Sequence, residues 1–167
     1  MALSGTLKVN AQFDQTKTAD GQSASNHLAH QIALTFTDGT AAGSADRIWQ
    51  DTRTLSASAT EDLDLSGSLT DIYGDAVVFA DVRAIIVTAS SANTNNVNWT
   101  RPASNGLPIH LAAGDGLPVR PGGVAVWACP DATGAAVAAG TGDLITFTNS
   151  AGSTSVTYTV TVVGASA

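Results

Sequence analysis

The sequence is short of charge, of cysteine and of long apolar runs. Only 13% of its 167 residues are charged, about half the roughly 25% usual in globular domains. The single cysteine, Cys129, excludes an internal disulfide, and its apolar context, VAVWACP, predicts a buried thiol that packs like a small hydrophobic group. No apolar stretch approaches the ~20 residues of a membrane-spanning helix, so we expect no membrane partner.

Basic residues are scarce as well. Seven Lys and Arg stand against fourteen Asp and Glu, for a formal net charge of −7, and no basic cluster is present to neutralise phosphate groups. We therefore expect no nucleic-acid partner. The first ten residues lack the charged and apolar regions of a signal peptide, which predicts a protein made in the cytoplasm.

The few charges are unevenly spread along the chain. Residues 1–83 carry five basic and eleven acidic side chains, whereas residues 84–167 carry only five charges in all. A surface so poor in charge is kept soluble by Ser, Thr, Asn and Gly, or is partly buried in an assembly. The second half is therefore expected to form a well-packed body.

Apolar residues alternate with polar ones at the end of the chain. Residues 144–163 read as two alternating runs about a Ser/Gly turn, with Val156, Tyr158, Val160 and Val162 on one face. This pattern predicts a C-terminal β-hairpin. An uncharged hairpin with an open edge would aggregate, so we expect its edge to be closed within its own sheet.

Similar short alternating runs, separated by Gly- and Pro-rich turns, occur along most of the chain. About eight to ten strands of this kind predict an all-β fold, an antiparallel β-sandwich of jelly-roll type with little helix. Residues 77–89 are the strongest buried-strand candidate. Residues 14–30 are polar and irregular, typical of a loop or arm, with one or two helical turns expected at most within 23–31. The chain is thus divided into an N-terminal strand and arm over 1–30 and a sandwich body over 31–167.

Signatures of catalysis and metal binding are missing. No G-x-S-x-G, P-loop or dinucleotide-binding glycine pattern occurs, so we expect neither an enzyme nor a cofactor. His27 and His30 would share a face only on a helix and have no clear third ligand, so no metal site is expected. The acidic cluster Glu61, Asp62 and Asp64 departs from the calcium-loop pattern and is interpreted as a solvated turn.

Contact with a partner is the more promising role for the remaining distinctive residues. Trp99 lies beside a turn with Arg101 next to it, and tryptophan and arginine are common anchors at interfaces. An exposed tryptophan would also suit a sugar-binding sandwich, although packing in the core is the favoured interpretation of Trp99. His27 and His30 in the polar arm are further candidate contacts.

Several segments of the sequence resemble those of a known family. They are DTRTLSASATEDLDLSGSLTDIYGDAVVFADVRAIIVTA (51–89), SANTNNV (91–97), VRPGG (119–123), PDATG (130–134), AGTGD (139–143) and STSVTY (153–158). Together they resemble the small virion proteins of tailed bacteriophages. The matched phrases are structural and include no catalytic signature.

The resemblance implies a jelly-roll cement or decoration protein on the outside of a phage capsid. Such a protein would be non-enzymatic, would bridge subunits of the major capsid protein, and would contact copies of itself as a dimer or trimer. Two alternatives stay open: a structural β-module of the tail, collar or fibre, and a carbohydrate-binding β-sandwich.

Overall fold

The computed structural model describes residues 2–166 as an all-β protein, and these residues contain no helix. The predicted all-β fold class is confirmed, with thirteen strands where eight to ten were expected. In chain order the strands are β1 (Gly5–Ala19), β2 (Gln22–Phe36), β3 (Arg47–Leu55), β4 (Thr60–Asp64), β5 (Leu69–Thr70), β6 (Ala76–Val77), β7 (Asp81–Ala89), β8 (Val97–Thr100), β9 (Gly116–Val119), β10 (Val124–Ala128), β11 (Ala135–Ala136), β12 (Leu144–Asn149) and β13 (Val156–Ala165).

Nine of these strands form the two sheets of a sandwich. One sheet has the order β10-β7-β13-β3, with β11 added to β7, and the other has the order β4-β12-β8-β9. Strands β3, β4, β7 and β8 therefore pair in reverse order with β13, β12, β10 and β9, all antiparallel. This pairing describes one long two-stranded ribbon rolled into a sandwich, which is the connectivity of a jelly roll.

The predicted C-terminal hairpin is wrong, although its strands and their faces are correct. Strand β12 pairs with β4 and β8, whereas β13 pairs with β3 and β7 in the other sheet. Residues 150–155 thus cross between the sheets and do not close a hairpin. Both strands have neighbours on each side, so the expected closure of the uncharged edge within the protein's own sheets is observed.

The core lies between the two sheets and is centred on aromatic rings. Phe147 of β12 packs between Trp99 and Tyr158, with ring centroids 6.4 and 4.6 Å apart respectively. All three side chains are completely buried. Burying one large apolar side chain contributes about 1.5–3 kcal/mol, so this aromatic row is a principal source of the attraction between the sheets.

Strand β7 is the buried central strand expected within 77–89. Val82, Arg83, Ala84 and Ile85 are all buried, on both faces of the strand. The inner face of β7 is buried because it meets the core. The beginning of its outer face, at Ala84, is buried because Phe36 and Ala45 pack against it. Ile86, farther along the outer face, remains partly exposed.

The two ends of the sandwich are unlike. Short turns close one end, at 56–59, 90–96, 120–123 and 150–155. The opposite end, which we call the arm end, carries the longer segments 37–46, 65–80, 101–115 and 129–143. The antiparallel registers place the first residues of β3, β7, β9 and β12 at the arm end.

The N-terminal segment is a long β-hairpin, so the irregular loop expected over 14–30, and the helical turns expected within 23–31, are both wrong. Strands β1 and β2 pair from Gly5↔Phe36 to Ala19↔Gln22 without interruption. We call this hairpin the arm. Each strand has 15 residues, which at about 3.3 Å per residue gives a length of about 50 Å.

Candidate interaction surface

Alternation along the arm produces one apolar face. Residues paired across the hairpin point to the same side, so Val9 lies beside Ile32 and Phe13 lies beside Leu28. These four side chains are 42%, 44%, 66% and 56% exposed. The apolar side chains of this face, which we call the apolar arm face, are Leu7, Val9, Ala11, Phe13, Leu28, Ile32 and Leu34, and His30 lies among them opposite Ala11. Continuous apolar strips of this kind mark interaction sites on soluble proteins.

A two-residue turn sets the register of this face. Asp20 and Gly21 both have positive φ, 51° and 77°, as a type I′ hairpin turn requires. The Asp-Gly pair between alternating runs is a hairpin signal that was present in the sequence. The polar composition of 14–30 concealed it, because only every second residue of an exposed hairpin face needs to be apolar.

The two predicted contact histidines lie on opposite faces of the arm. His27 is on the polar face, where its Nδ1 lies 2.6 Å from Asp14 Oδ1. His30 is on the apolar arm face, opposite Ala11. Residues three apart share a face on a helix but point apart on a strand, so His27 and His30 are not brought together. Both are exposed and accessible to a partner.

The root of the arm is anchored to the body by apolar contacts. Phe36, Ala45 and Ala84 form a buried cluster. Leu7 and Leu34, from the apolar arm face, pack against this cluster. Beyond Leu7 and Leu34 the side chains of both strands are exposed, apart from a partly buried Ala11. The arm therefore leaves the body after its first pairs of residues.

Polar contacts fix the segment that joins the arm to β3. The Arg83 Nη2 group donates to the Thr40 carbonyl at 3.0 Å, and the Gly43 N–H donates to the Pro130 carbonyl at 2.8 Å. Ser166, near the C-terminus, donates from both its N–H and its hydroxyl to the Asp46 carboxylate. Burial alone would raise the pKa of Asp46, but the hydrogen bonds from Ser166 and the charge of Arg47 lower it below its usual value. The segment between the arm and β3 is thus held by β7, by the loop after β10 and by Ser166.

The outer face of the β10-β7-β13-β3 sheet is the second uncharged surface. Its exposed members include Val124 and Val126, which are 64% and 41% exposed. We call the following set the outer sheet face: Ile48, Gln50, Thr52, Thr54, Ala84, Ile86, Thr88, Val124, Val126, Ala128, Thr157, Thr159, Thr161 and Val163. No member is charged, so no ionic group resists the approach of an apolar partner.

Exposed apolar side chains also occur on the loops at the arm end. Ile72 and Tyr73 lie in the turn between β5 and β6, and Leu111 lies in the loop between β8 and β9; all three are largely exposed. A groove of about 770 Å³ runs between the 71–77 segment, the arm root and the edge of β3. The arm end therefore combines the arm, two apolar loop tips and a groove.

Trp99 is part of the core, as its favoured interpretation held, and its candidate role as a partner contact is wrong. Its ring is completely buried and meets His110 edge-to-face with centroids 5.2 Å apart. Burial lowers the pKa of His110. Trp99 offers no ring face to a sugar. Pairing of Trp99 with Phe147 and Leu117 in neighbouring strands puts it on the inner face, which the adjacent turn did not reveal.

Arg101 holds the loop that follows β8. Its Nη1 group donates to the carbonyls of His110 and Leu111, at 3.2 and 3.4 Å. The side chain is partly exposed. Arg101 therefore stabilises the 101–115 loop, in which Leu111 is exposed to solvent.

The acidic cluster is distributed along strand β4 and is not a turn. Glu61 accepts a hydrogen bond from the Tyr158 hydroxyl at 2.6 Å, Asp62 accepts one from Thr146, and Asp64 accepts one from Ser66. Alternation along a strand places Glu61 on the face opposite Asp62 and Asp64, and each carboxylate binds a different partner. Their hydrogen bonds join β4 to β12, to β13 and to the loop after β4.

Cys129 is partly exposed, which corrects the prediction of a buried thiol. The Sγ group lies 3.1 Å from Asp131 Oδ2. The hydrogen bond to this carboxylate, together with burial, raises the pKa of Cys129. The same contact, with N–H groups of Gly134 and Thr133, lowers the pKa of Asp131 to about 2. The cysteine sits in a turn that Asp131 stabilises.

The part of the chain that the structure describes holds no group of three or more His, Cys, Asp and Glu side chains placed to bind a metal ion. Within residues 2–166 there is also no helix of the length and apolarity needed to cross a bilayer. Comparison of the chain with protein-family models, with curated proteins and with solved structures finds no match.

Proposed function

We propose that this protein is a non-enzymatic structural component of a bacteriophage virion, which decorates the outside of the capsid and stabilises it by bridging subunits of the major capsid protein. One observation carries the proposal. Exposed apolar side chains gather on the arm and on the loops Ile72-Tyr73 and Leu111, which all leave the same end of the sandwich. The resemblance of residues 51–97 and 119–158 to small phage virion proteins supports the same role.

The architecture suits a subunit that binds a repeated surface. The sandwich supplies a rigid body, and the loop tips and the arm supply separate points of attachment. A partly exposed apolar residue gains at most a few kcal/mol when it is buried, so each point of attachment is weak by itself. Several weak contacts to neighbouring subunits become strong together through their high effective concentration.

Binding to capsids is the direct test. Purified protein is mixed with phage heads that lack it, the heads are pelleted, and the bound protein and the temperature of DNA release are measured. We expect saturable binding and a higher release temperature. Failure to bind heads at any concentration would refute the proposal.

A matched pair of variants tests the arm end of the body. Ile72→Ser combined with Leu111→Ser removes two exposed apolar tips at that end, whereas Ala57→Ser combined with Ala92→Ser alters exposed positions at the opposite end. We expect the first variant to bind heads more weakly and the second to bind like the wild type. Circular dichroism melting curves establish that both variants are folded.

Immunogold labelling of whole virions distinguishes the head from the other locations. Label distributed over the head supports decoration. Label confined to the tail, collar or fibre would replace the capsid role with that of a structural β-module at the labelled site.

A further inference from the structure

We infer that the apolar arm face docks on the outer sheet face of a second copy of this chain. The arm would thereby link neighbouring copies into a connected layer. The inference deepens the proposed function and rests on it for its biological setting, but the contact itself belongs to this chain alone. It is therefore testable in solution.

The same contact already exists within one molecule at the arm root. Leu7 and Leu34, the first pair on the apolar arm face, pack against the buried cluster that contains Ala84 of the outer sheet face. Ala128 and Val163 of that face pack against the same cluster. A groove of about 240 Å³ continues this contact between residues 3–8 of the arm and the sheet. The arm face and the sheet face thus share one apolar cluster where they meet within a molecule.

Both surfaces continue beyond that contact without a partner. On the arm, exposure rises from the partly buried Leu7 to 42% at Val9 and 66% at Phe13. On the sheet, Val126 and Val124 extend the same face away from Ala128, at 41% and 64% exposure. Because the arm leaves its own body, its outer part leaves its own sheet uncovered, and a second copy offers the matching surface.

The periodicity of the two surfaces also matches. Side chains on one face of a strand repeat every two residues, about 6.8 Å, in both the arm and the sheet. Two such faces pack about 10 Å apart with their side chains interdigitated. Four of the six threonine hydroxyls of the outer sheet face are already paired with each other, Thr52 with Thr159 at 2.8 Å and Thr54 with Thr157 at 3.1 Å. Covering these four leaves each of them with a hydrogen-bond partner.

Charge favours the arm as the element that approaches another copy. The arm contains two lysines, Lys8 and Lys17, and two aspartates, Asp14 and Asp20, so its formal charge is zero. The rest of the chain has five arginines and twelve acidic residues and therefore carries the whole net charge of −7. A body-to-body contact brings like charges together, whereas contact of a neutral arm with an uncharged face does not.

Disulfide trapping between two differently labelled copies tests the contact. In a Cys129→Ser background, a Phe13→Cys copy is mixed with a Val126→Cys copy of different mass under mild oxidation. The matched control replaces Phe13→Cys with Gln12→Cys, which is also exposed but lies on the polar face of the arm. We expect about tenfold more mixed dimer from the Phe13 pair, because the docked arm raises the effective thiol concentration.

Each outcome has a defined meaning. Equal mixed-dimer yields from the two pairs, or Phe13→Cys copies that cross-link only with each other, would overturn the inference in favour of no docking or of arm-to-arm pairing. Heads that bind the protein without any Phe13–Val126 cross-link would overturn the inference and leave the proposed function intact. Cross-linking in solution by a protein that does not bind heads would support the inference and refute the proposed function.

Discussion

The buried ion pair of Asp81 and Arg83 predicts an asymmetric effect of mutation. Arg83 is completely buried, with Nε 2.8 Å from Asp81 Oδ1 and Nη2 donating to Asp81 Oδ2 at 3.3 Å. A guanidinium cannot release its proton in a protein, whereas a carboxylate can become neutral by taking one. Burial already raises the pKa of Asp81, partly offset by the charge of Arg83. Removing the aspartate is therefore the more damaging change.

The structure gives the magnitudes. Asp81→Asn leaves a buried cation unpaired, which costs about 3–5 kcal/mol of unfolding free energy. Arg83→Met keeps most of the side-chain volume, loses the hydrogen bond to the Thr40 carbonyl and allows Asp81 to protonate. We expect it to cost about 1–2 kcal/mol.

Urea unfolding followed by tryptophan fluorescence measures both values, and the double variant Asp81→Asn with Arg83→Met completes the cycle. We expect the double variant to resemble Arg83→Met, because the unpaired cation is gone. An Arg83→Met variant that is as unstable as Asp81→Asn, or less stable, would refute the reasoning. Equal m-values establish that the variants unfold from equally compact states.

Three further predictions concern the core and its margin. The pKa of His110 is lowered in the folded protein by burial, so its contribution to stability is complete above the unfolded pKa of about 6.5 and is lost as the pH falls through the folded pKa. His110→Asn should therefore flatten the fall in melting temperature as the pH is lowered below about 6.5. Tyr158→Phe removes the 2.6 Å hydrogen bond to Glu61 and should lower the unfolding free energy by about 1.5–3 kcal/mol in urea titrations; a change within error would show that water replaces the hydroxyl. A Cβ on Gly116 would lie 2.2 Å from the Trp99 carbonyl oxygen, so Gly116→Ala should cost about 1–3 kcal/mol by thermal unfolding, while Gly5→Ala, with open space around it, should be neutral.

The alternation of apolar and polar residues predicted which side chains are buried better than it predicted which strands pair. Val156, Tyr158, Val160 and Val162 are buried as expected, and the threonines between them lie on the outer face. Alternation determines faces because it depends only on neighbouring residues. Pairing depends on distant partners: Thr148 of β12 pairs with Thr60, 88 residues away. No local pattern in 144–163 contains that information.

The candidate surface was only partly predictable. The alternation of Val9, Ala11 and Phe13 is visible in the sequence, but the matching Leu28 falls within the polar residues 14–30, which were expected to be irregular. For Trp99, the polar neighbours in the sequence suggested exposure, but the ring is completely buried. In the structure those neighbours lie on the opposite face of β8 from the ring. In both cases the error came from averaging polarity over a segment whose two faces differ.

Two segments with the same alternating pattern thus have different surroundings in the fold. Strand β13 is uncharged and alternating, but both of its edges and its apolar face are covered within one molecule, because the ribbon rolls β3 and β7 against it. The arm is also alternating, but its two strands have only each other, and an isolated two-stranded hairpin is marginally stable in water. Nothing within residues 2–166 covers Val9, Phe13, Leu28 and Ile32. Because no segment of the same molecule covers the outer arm, stabilising it requires a second molecule, and the order of the arm and the assembly of the protein are expected to be coupled.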